Sequence, residues 1–194
     1  MSMNSWPAAG AFALCATAFA QSSDLDRGKK EVRVFTGMST SRAVSVEPTL
    51  SAGAEVAVGL NRIIALTGNY ATSFHRISDQ YCAFNDCLNF EEHRRLDEFM
   101  GGVRFSVPNP SRITPYGVVT AGALILTDHT SASGTAFGSI SNTESSTHFG
   151  VAAGGGVNFR ISPRFGIAFD ARGIYPVPST AWYLRTTGGV YFRF

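Results

Sequence analysis

His129, Ser131 and Glu144 are residues of the types that carry acyl transfer. In such a set the serine hydroxyl attacks a carbonyl, the imidazole takes its proton and the carboxylate orients the imidazole. The three lie in a stretch, 128–146, made mostly of Ser, Thr, Gly and Asn, which reads as a loop. A loop is a poor frame for holding a nucleophile and its base to within about 0.5 Å. No catalysis is therefore expected. Cys82 and Cys87 form the second group, with Glu91 and His93 close behind them in the chain. They suit either a disulfide or, with Glu91 or His93, a metal site. There is no second Cys pair and no His pair at ligand spacing, so the disulfide is the expected reading, and no metal or cofactor is expected. Closing so short a loop stabilises by roughly 2 kcal/mol in the chain-entropy model.

The elements that carry these residues have a period of two. Leu50, Ala52, Ala54, Val56, Val58 and Leu60 alternate with Ser51, Gly53, Glu55, Ala57 and Gly59, which makes a strand with two unlike faces. The same parity returns over 64–75, 98–107, 148–159, 165–172 and 182–194. Two weaker segments, 30–38 and 114–127, bring the expected count to eight strands. No helical period competes. Tight turns at 61–62, 108–113 and 160–164 interleave with longer connections at 39–48, 77–93, 128–146 and 176–181. Long connections fall at one end and short ones at the other.

The composition narrows the class further. The chain has 194 residues, enough for one domain and a short targeting segment. Only 15% of residues are charged while 44% are hydrophobic, which excludes a disordered tail protein and an ordinary solvated surface. A net charge of +2 leaves no basic footprint for nucleic acid. No apolar run reaches the roughly 18 residues of a spanning helix. Residues Ala8 to Ala20 are apolar and uncharged and close on Ala18, Phe19, Ala20, Gln21, the small-x-small pattern of an export signal. The expected division is a signal peptide over 1–20, cleaved after Ala20, a periplasmic lead over 21–29 and the strands over 30–194. Export to an oxidising compartment favours a bond between Cys82 and Cys87.

A soluble barrel is also antiparallel and two-faced, so the chemistry of each face decides. With the apolar face outward, Phe74, Phe99, Phe149, Tyr175 and Trp182 gather near one rim. Phe105, Tyr116, Phe159, Phe165, Phe192 and Phe194 gather near the other. Two aromatic girdles at headgroup level are the mark of a transmembrane barrel. The fold expected is therefore all-β, an eight-stranded antiparallel up-and-down transmembrane barrel.

The chain from 30 to 194 resembles the small eight-stranded outer-membrane barrels of the OmpA and OmpX type. Its last strand, Gly188 to Phe194, is similar to the terminal signal by which the barrel-assembly machinery recognises its clients, with Val190, Phe192 and Phe194 at alternate positions. Thr114-Pro115-Tyr116-Gly117 and Ile161-Ser162-Pro163-Arg164-Phe165 are also family-like. The resemblance implies an outer-membrane protein with both termini periplasmic. It implies outer-membrane lipids, lipopolysaccharide, periplasmic chaperones and the assembly machinery as partners, and a monomer. The His129, Ser131 and Glu144 set resembles that of outer-membrane lipid A deacylases, which implies a hydrolase as one alternative.

By parity Glu55, Glu98, Arg104, Asp170, Arg172 and Arg185 point inward. Eight strands enclose a space that side chains fill, and buried charges are costly unless paired. An ion-pair network is expected there. It is either a static polar plug or a gate in a narrow conduit for small solutes. The stretch 77–93 carries Tyr81, Phe84 and Phe90, with Arg94 beside it, so a surface-interaction role at that end is expected beside an architectural one.

Overall fold

In the computed structural model, residues 27–41, 48–83, 86–108, 111–134, 138–178 and 182–194 are described. The segment read as a signal peptide, Phe84 and Cys15 lie outside them. Period-two patterning gives eight strands, β1 (Lys30–Ser41), β2 (Thr49–Gly59), β3 (Ile64–Ala83), β4 (Asp86–Ser106), β5 (Ile113–Gly134), β6 (Gly138–Arg160), β7 (Phe165–Val177) and β8 (Tyr183–Arg193). Each pairs antiparallel with the next, and β1 pairs with β8, so the sheet closes into an up-and-down barrel. Closure leaves no unpaired strand edge around the barrel wall, which hydrocarbon requires.

The short turns are held by their own side chains. Asn61 Oδ1 accepts hydrogen bonds from the amides of Ile63 and Ile64, both at 2.8 Å. Ser162 Oγ accepts from the Phe165 amide at 3.1 Å.

Polarity is inverted relative to a soluble protein. Phe99 is 50% exposed while its neighbour Glu98 is 0% exposed, and this alternation runs around the wall. Val34, Leu50, Val56, Leu66, Val119, Ile167 and Val190 form the exposed apolar belt. The ladder rows Phe99 with Ala123, Ala123 with Phe149, and Phe149 with Val177 towards one rim. It rows Ile113 with Phe159, Phe159 with Ile167, and Phe165 with Phe192 towards the other. Tyr175 stacks on Trp182 at a centroid distance of 6.1 Å. An apolar exterior around a charged interior makes this a transmembrane barrel.

Two expectations need correction. The segments 77–93 and 128–146, read as loops, are largely strand. β3 pairs with β4 as far as Ala83 and Asp86, and β5 with β6 as far as Gly134 and Gly138. Backbone hydrogen bonding with a partner strand overrides the weak β-propensity of the Ser-, Thr- and Gly-rich stretch 128–146 and of the Asp and Asn residues in 77–93. Tyr116, placed in the aromatic girdle, instead turns into the lumen and is 5% exposed. Because Ile113 faces outward, every even position of β5 from Thr114 to Leu124 faces in. Gly156 makes room for the ring, since a Cβ there would lie 2.6 Å from Tyr116 Oη.

Candidate functional site

The barrel places polar side chains in two regions, the lumen and the sheet that rises beyond one rim. In the lower lumen, Glu31 accepts hydrogen bonds from Arg104 Nη1 at 2.7 Å, Arg193 Nε at 2.8 Å and Arg33 Nη2 at 3.3 Å. Glu55 is shared by Arg172, by Arg104 Nη1 at 3.3 Å and by Arg33 Nη1 at 3.9 Å. Asp170 accepts from Arg172 Nε at 2.6 Å and from Tyr116 Oη at 2.8 Å. The Tyr116 oxygen in turn accepts from Arg33 Nη1 at 2.6 Å, and Arg33 Nη2 donates to Asn158 Oδ1 at 2.9 Å.

Higher in the lumen, Arg185 pairs with Glu98. Met100, Leu124, Ala152 and Ile174 also pack together in the lumen, with Leu96 and Tyr183 against them. The lumen thus holds both charged pairs and an apolar cluster. Buried charges are tolerated here because each meets an opposite charge.

Of the six lumen residues read from parity, Glu55, Arg104, Asp170 and Arg172 stand in the lower layer and Glu98 with Arg185 in the upper pair. Sequence reading missed Glu31, Arg33, Asn158 and Arg193. The available signal was the alternation of Glu31, Arg33 and Phe35 with Val32 and Val34, and of Tyr191 and Arg193 with Val190 and Phe192.

β3 to β6 run 20 to 23 residues, against 11 to 13 for the other four strands. β3 leaves β2 after Phe74, and β6 meets β7 only from Phe149. About ten residues of each long strand therefore extend past the rim, roughly 30 Å at the usual rise. On the outward face of this platform Arg76 Nη2 donates to Glu91 Oε1 at 3.0 Å, and His93 and His129 rings lie 6.4 Å apart. The hydrogen bond from Arg76 holds the Glu91 carboxyl below the usual carboxylate range. A groove of about 500 Å³ is lined by Phe74, Arg76, His93, Arg95, Thr127 and His129.

The acyl-transfer set is split by this sheet. The ladder opposes His129 to Thr143, whose hydroxyl meets His129 Nδ1 at 2.8 Å, whereas Glu144 opposes Asp128. Consecutive strand residues face opposite ways, so Glu144 stands on the other face from His129 and Ser131. The metal alternative is also dispersed. Cys82 opposes Cys87, but His93 is six residues along the strand from Cys87, about 20 Å away.

No protein-family model matches the sequence, and no curated protein matches it. The structure is similar to that of Ail, the attachment invasion locus protein of Yersinia pestis, solved in complex with the heparin analogue sucrose octasulfate. The TM-score is 0.56 at 16% identity, over 87% of this chain and 99% of that chain. It is similar also to Neisserial surface protein A, with a TM-score of 0.50 at 14% identity, over 86% of this chain and 96% of that chain. At such identities the likeness is one of fold. This chain has the fold of the eight-stranded outer-membrane barrels.

Proposed function

We propose that this barrel is an integral outer-membrane protein whose lumen is a filled structural plug and whose task is surface interaction through the four-stranded platform. The observation that carries the reading is the platform itself, a paired sheet about 30 Å tall standing on a barrel whose lumen charged pairs and an apolar cluster occupy. Surface segments on a rigid scaffold are where recognition residues concentrate. The likeness to the Yersinia attachment invasion locus protein, seen bound to a sulfated sugar analogue, supports the reading. Replacing 77–93 by a two-residue turn tests it. Loss of binding to host cells with the barrel still heat-modifiable on gels is expected, and undiminished binding would defeat it.

The reading includes residues 1–20 as an export signal, both termini in the periplasm, and a disulfide between Cys82 and Cys87. It includes a monomer that meets outer-membrane lipids and lipopolysaccharide, and that reaches the membrane through periplasmic chaperones and the assembly machinery, with Val190, Phe192 and Phe194 as the recognised signal. It includes no catalysis.

A second reading, a narrow gated conduit, is favoured by one feature. Glu55 is shared among Arg172, Arg104 and Arg33, so its partners can exchange. Planar-bilayer conductance of Arg172→Met separates the two readings. A plug predicts unchanged conductance and a gate predicts a changed open fraction.

A further inference from the structure

The chain has four histidines, and the pairing of β4 with β5 brings two of them together. His93 and His129 are directly opposed in the ladder, and their ring centroids lie 6.4 Å apart. Glu91 stands two residues before His93 on β4, so strand geometry turns it to the same outward face. The other two histidines are elsewhere. His75 opposes Arg94 and, next in the strand to outward Arg76, faces the other way. His148 opposes Leu124, with its Nε2 3.2 Å from Ser146 Oγ.

Glu91 Oε2 lies 3.7 Å from His93 Nε2, too far for a hydrogen bond. Two ligand atoms held at about 2.0–2.2 Å by one tetrahedral zinc ion are roughly 3.4 Å apart, so this pair stands near the separation that a shared ion sets. The same geometry puts two zinc-bound imidazole centroids roughly 5 Å apart, and a turn of the exposed His129 ring closes the difference. Among the described residues no three His, Cys, Asp or Glu side chains already converge on one point, so the ion itself draws His129 in. Both flanking ligands are held from behind. His129 Nδ1 meets Thr143 Oγ1 at 2.8 Å, which leaves Nε2 for an ion, and Arg76 Nη2 donates to Glu91 Oε1 at 3.0 Å, which leaves Oε2. Metal-ligating imidazoles and carboxylates are oriented by such partners. The groove of about 500 Å³ opens beside the two rings. The guanidiniums that line it, Arg76, Arg94 and Arg95, pair with Glu91, Glu92 and Asp97, so an added cation meets no uncompensated positive charge.

We propose that Glu91, His93 and His129 bind one divalent transition-metal ion of the zinc class on the outward face of the platform. Two imidazoles and a carboxylate suit zinc, which takes four ligands, and the groove leaves the fourth position to solvent or to a donor atom of whatever docks on the sheet. Magnesium, which prefers oxygen ligands in octahedral geometry, does not suit the set. The site goes beyond the surface-interaction reading and does not depend on it.

The full chain, folded in detergent, stripped of metal by a chelator and left unreduced, is titrated with zinc chloride by isothermal titration calorimetry. One zinc ion per chain is expected, and magnesium chloride gives no binding heat. His93→Gln and His129→Gln each abolish the zinc binding. Glu91→Gln weakens it by more than the roughly tenfold that loss of an outer partner costs. His75→Gln/His148→Gln and Cys82→Ser/Cys87→Ser bind zinc as the wild type does. Cobalt(II) in place of zinc gives the intense visible absorption of a four-coordinate ion, and His129→Gln loses it. Heat-modifiable migration checks that each variant is folded. A folded wild type that binds no zinc, or binds magnesium equally well, overturns the proposal. So does binding left unchanged by any of the three ligand substitutions, or binding lost with the two cysteines or with His75 and His148.

Discussion

Tyr116 on β5 and Asp170 on β7 are joined across the lumen by a hydrogen bond of 2.8 Å from the phenol to the carboxylate. β6 lies between their strands. The same oxygen accepts from Arg33 on β1, so one hydroxyl links three strands and two opposite charges. The ring also lies under two guanidiniums, Arg33 at 5.0 Å and Arg104 at 5.5 Å from its centroid.

Tyr116→Phe removes both hydrogen bonds and keeps the ring. Arg33 and Asp170 each lose a partner in a buried site, for a cost of about 1–3 kcal/mol. Urea unfolding in lipid vesicles measures it. A variant as stable as wild type would mean that the charges, rather than the phenol, hold the layer.

Arg185→Met leaves Glu98 buried without its charge partner, and about 3–5 kcal/mol of destabilisation is expected. Arg185→Met/Glu98→Gln restores most of that loss, because the remaining amide carries no charge. A double variant no better than the single one would show that Arg185 acts through packing on Phe35, whose ring centroid lies 5.3 Å from the guanidinium.

The cost of charge on the outer face depends on depth. Val119 stands mid-wall, 56% exposed, and Phe105 near the short-turn rim, 45% exposed. Relative to alanine at the same position, Val119→Arg costs about 2–4 kcal/mol and Phe105→Arg about 0–1 kcal/mol. Equal costs would place the membrane elsewhere on the wall.

Glu91 is expected to titrate below the ordinary carboxylate range, because Arg76 donates a hydrogen bond to its ionised form. A carboxyl lowered in the folded state contributes stability above its unfolded pKa and loses it as pH falls through the lowered value. Carboxyl NMR titration of wild type and Arg76→Gln checks this, with the variant moving up towards the ordinary range. An unchanged titration would assign the shift to another neighbour.

Opposed residues in an antiparallel pair have Cα atoms about 4.5–5.5 Å apart, within the span of a disulfide. Alkylation of unreduced protein is therefore expected to find neither Cys82 nor Cys87 reactive. Cys82→Ser exposes one thiol at Cys87 and leaves the heat-modifiable barrel intact, the loss of roughly 2 kcal/mol being confined to the hairpin tip. A reactive thiol in wild type would rule the bond out.

Much of the architecture was legible in the chain because strand polarity is local. Alternate residues face opposite ways whatever the partner strand, so Glu55, Glu98, Arg104, Asp170, Arg172 and Arg185 could be assigned to one face from parity alone. Asn61 and Ser162 marked their turns for the same reason, since each bonds amides two or three residues ahead. β5 resisted this reading. Val118 and Val119, or Ala121 with Gly122, offer no contrast between faces, and Tyr116 was assigned to the wrong one.

Tertiary structure decided which charges meet and how far the strands continue. Arg193 reaches Glu31 across 162 residues of sequence, a neighbourhood that exists only once β1 closes on β8. The platform exists because β3 to β6 find partners beyond the membrane, and paired backbone hydrogen bonds turn a stretch of Ser, Thr and Gly into sheet. Periodicity within a strand is set by the geometry of consecutive residues. Pairing between strands is set by closure of the whole barrel, which no single segment encodes.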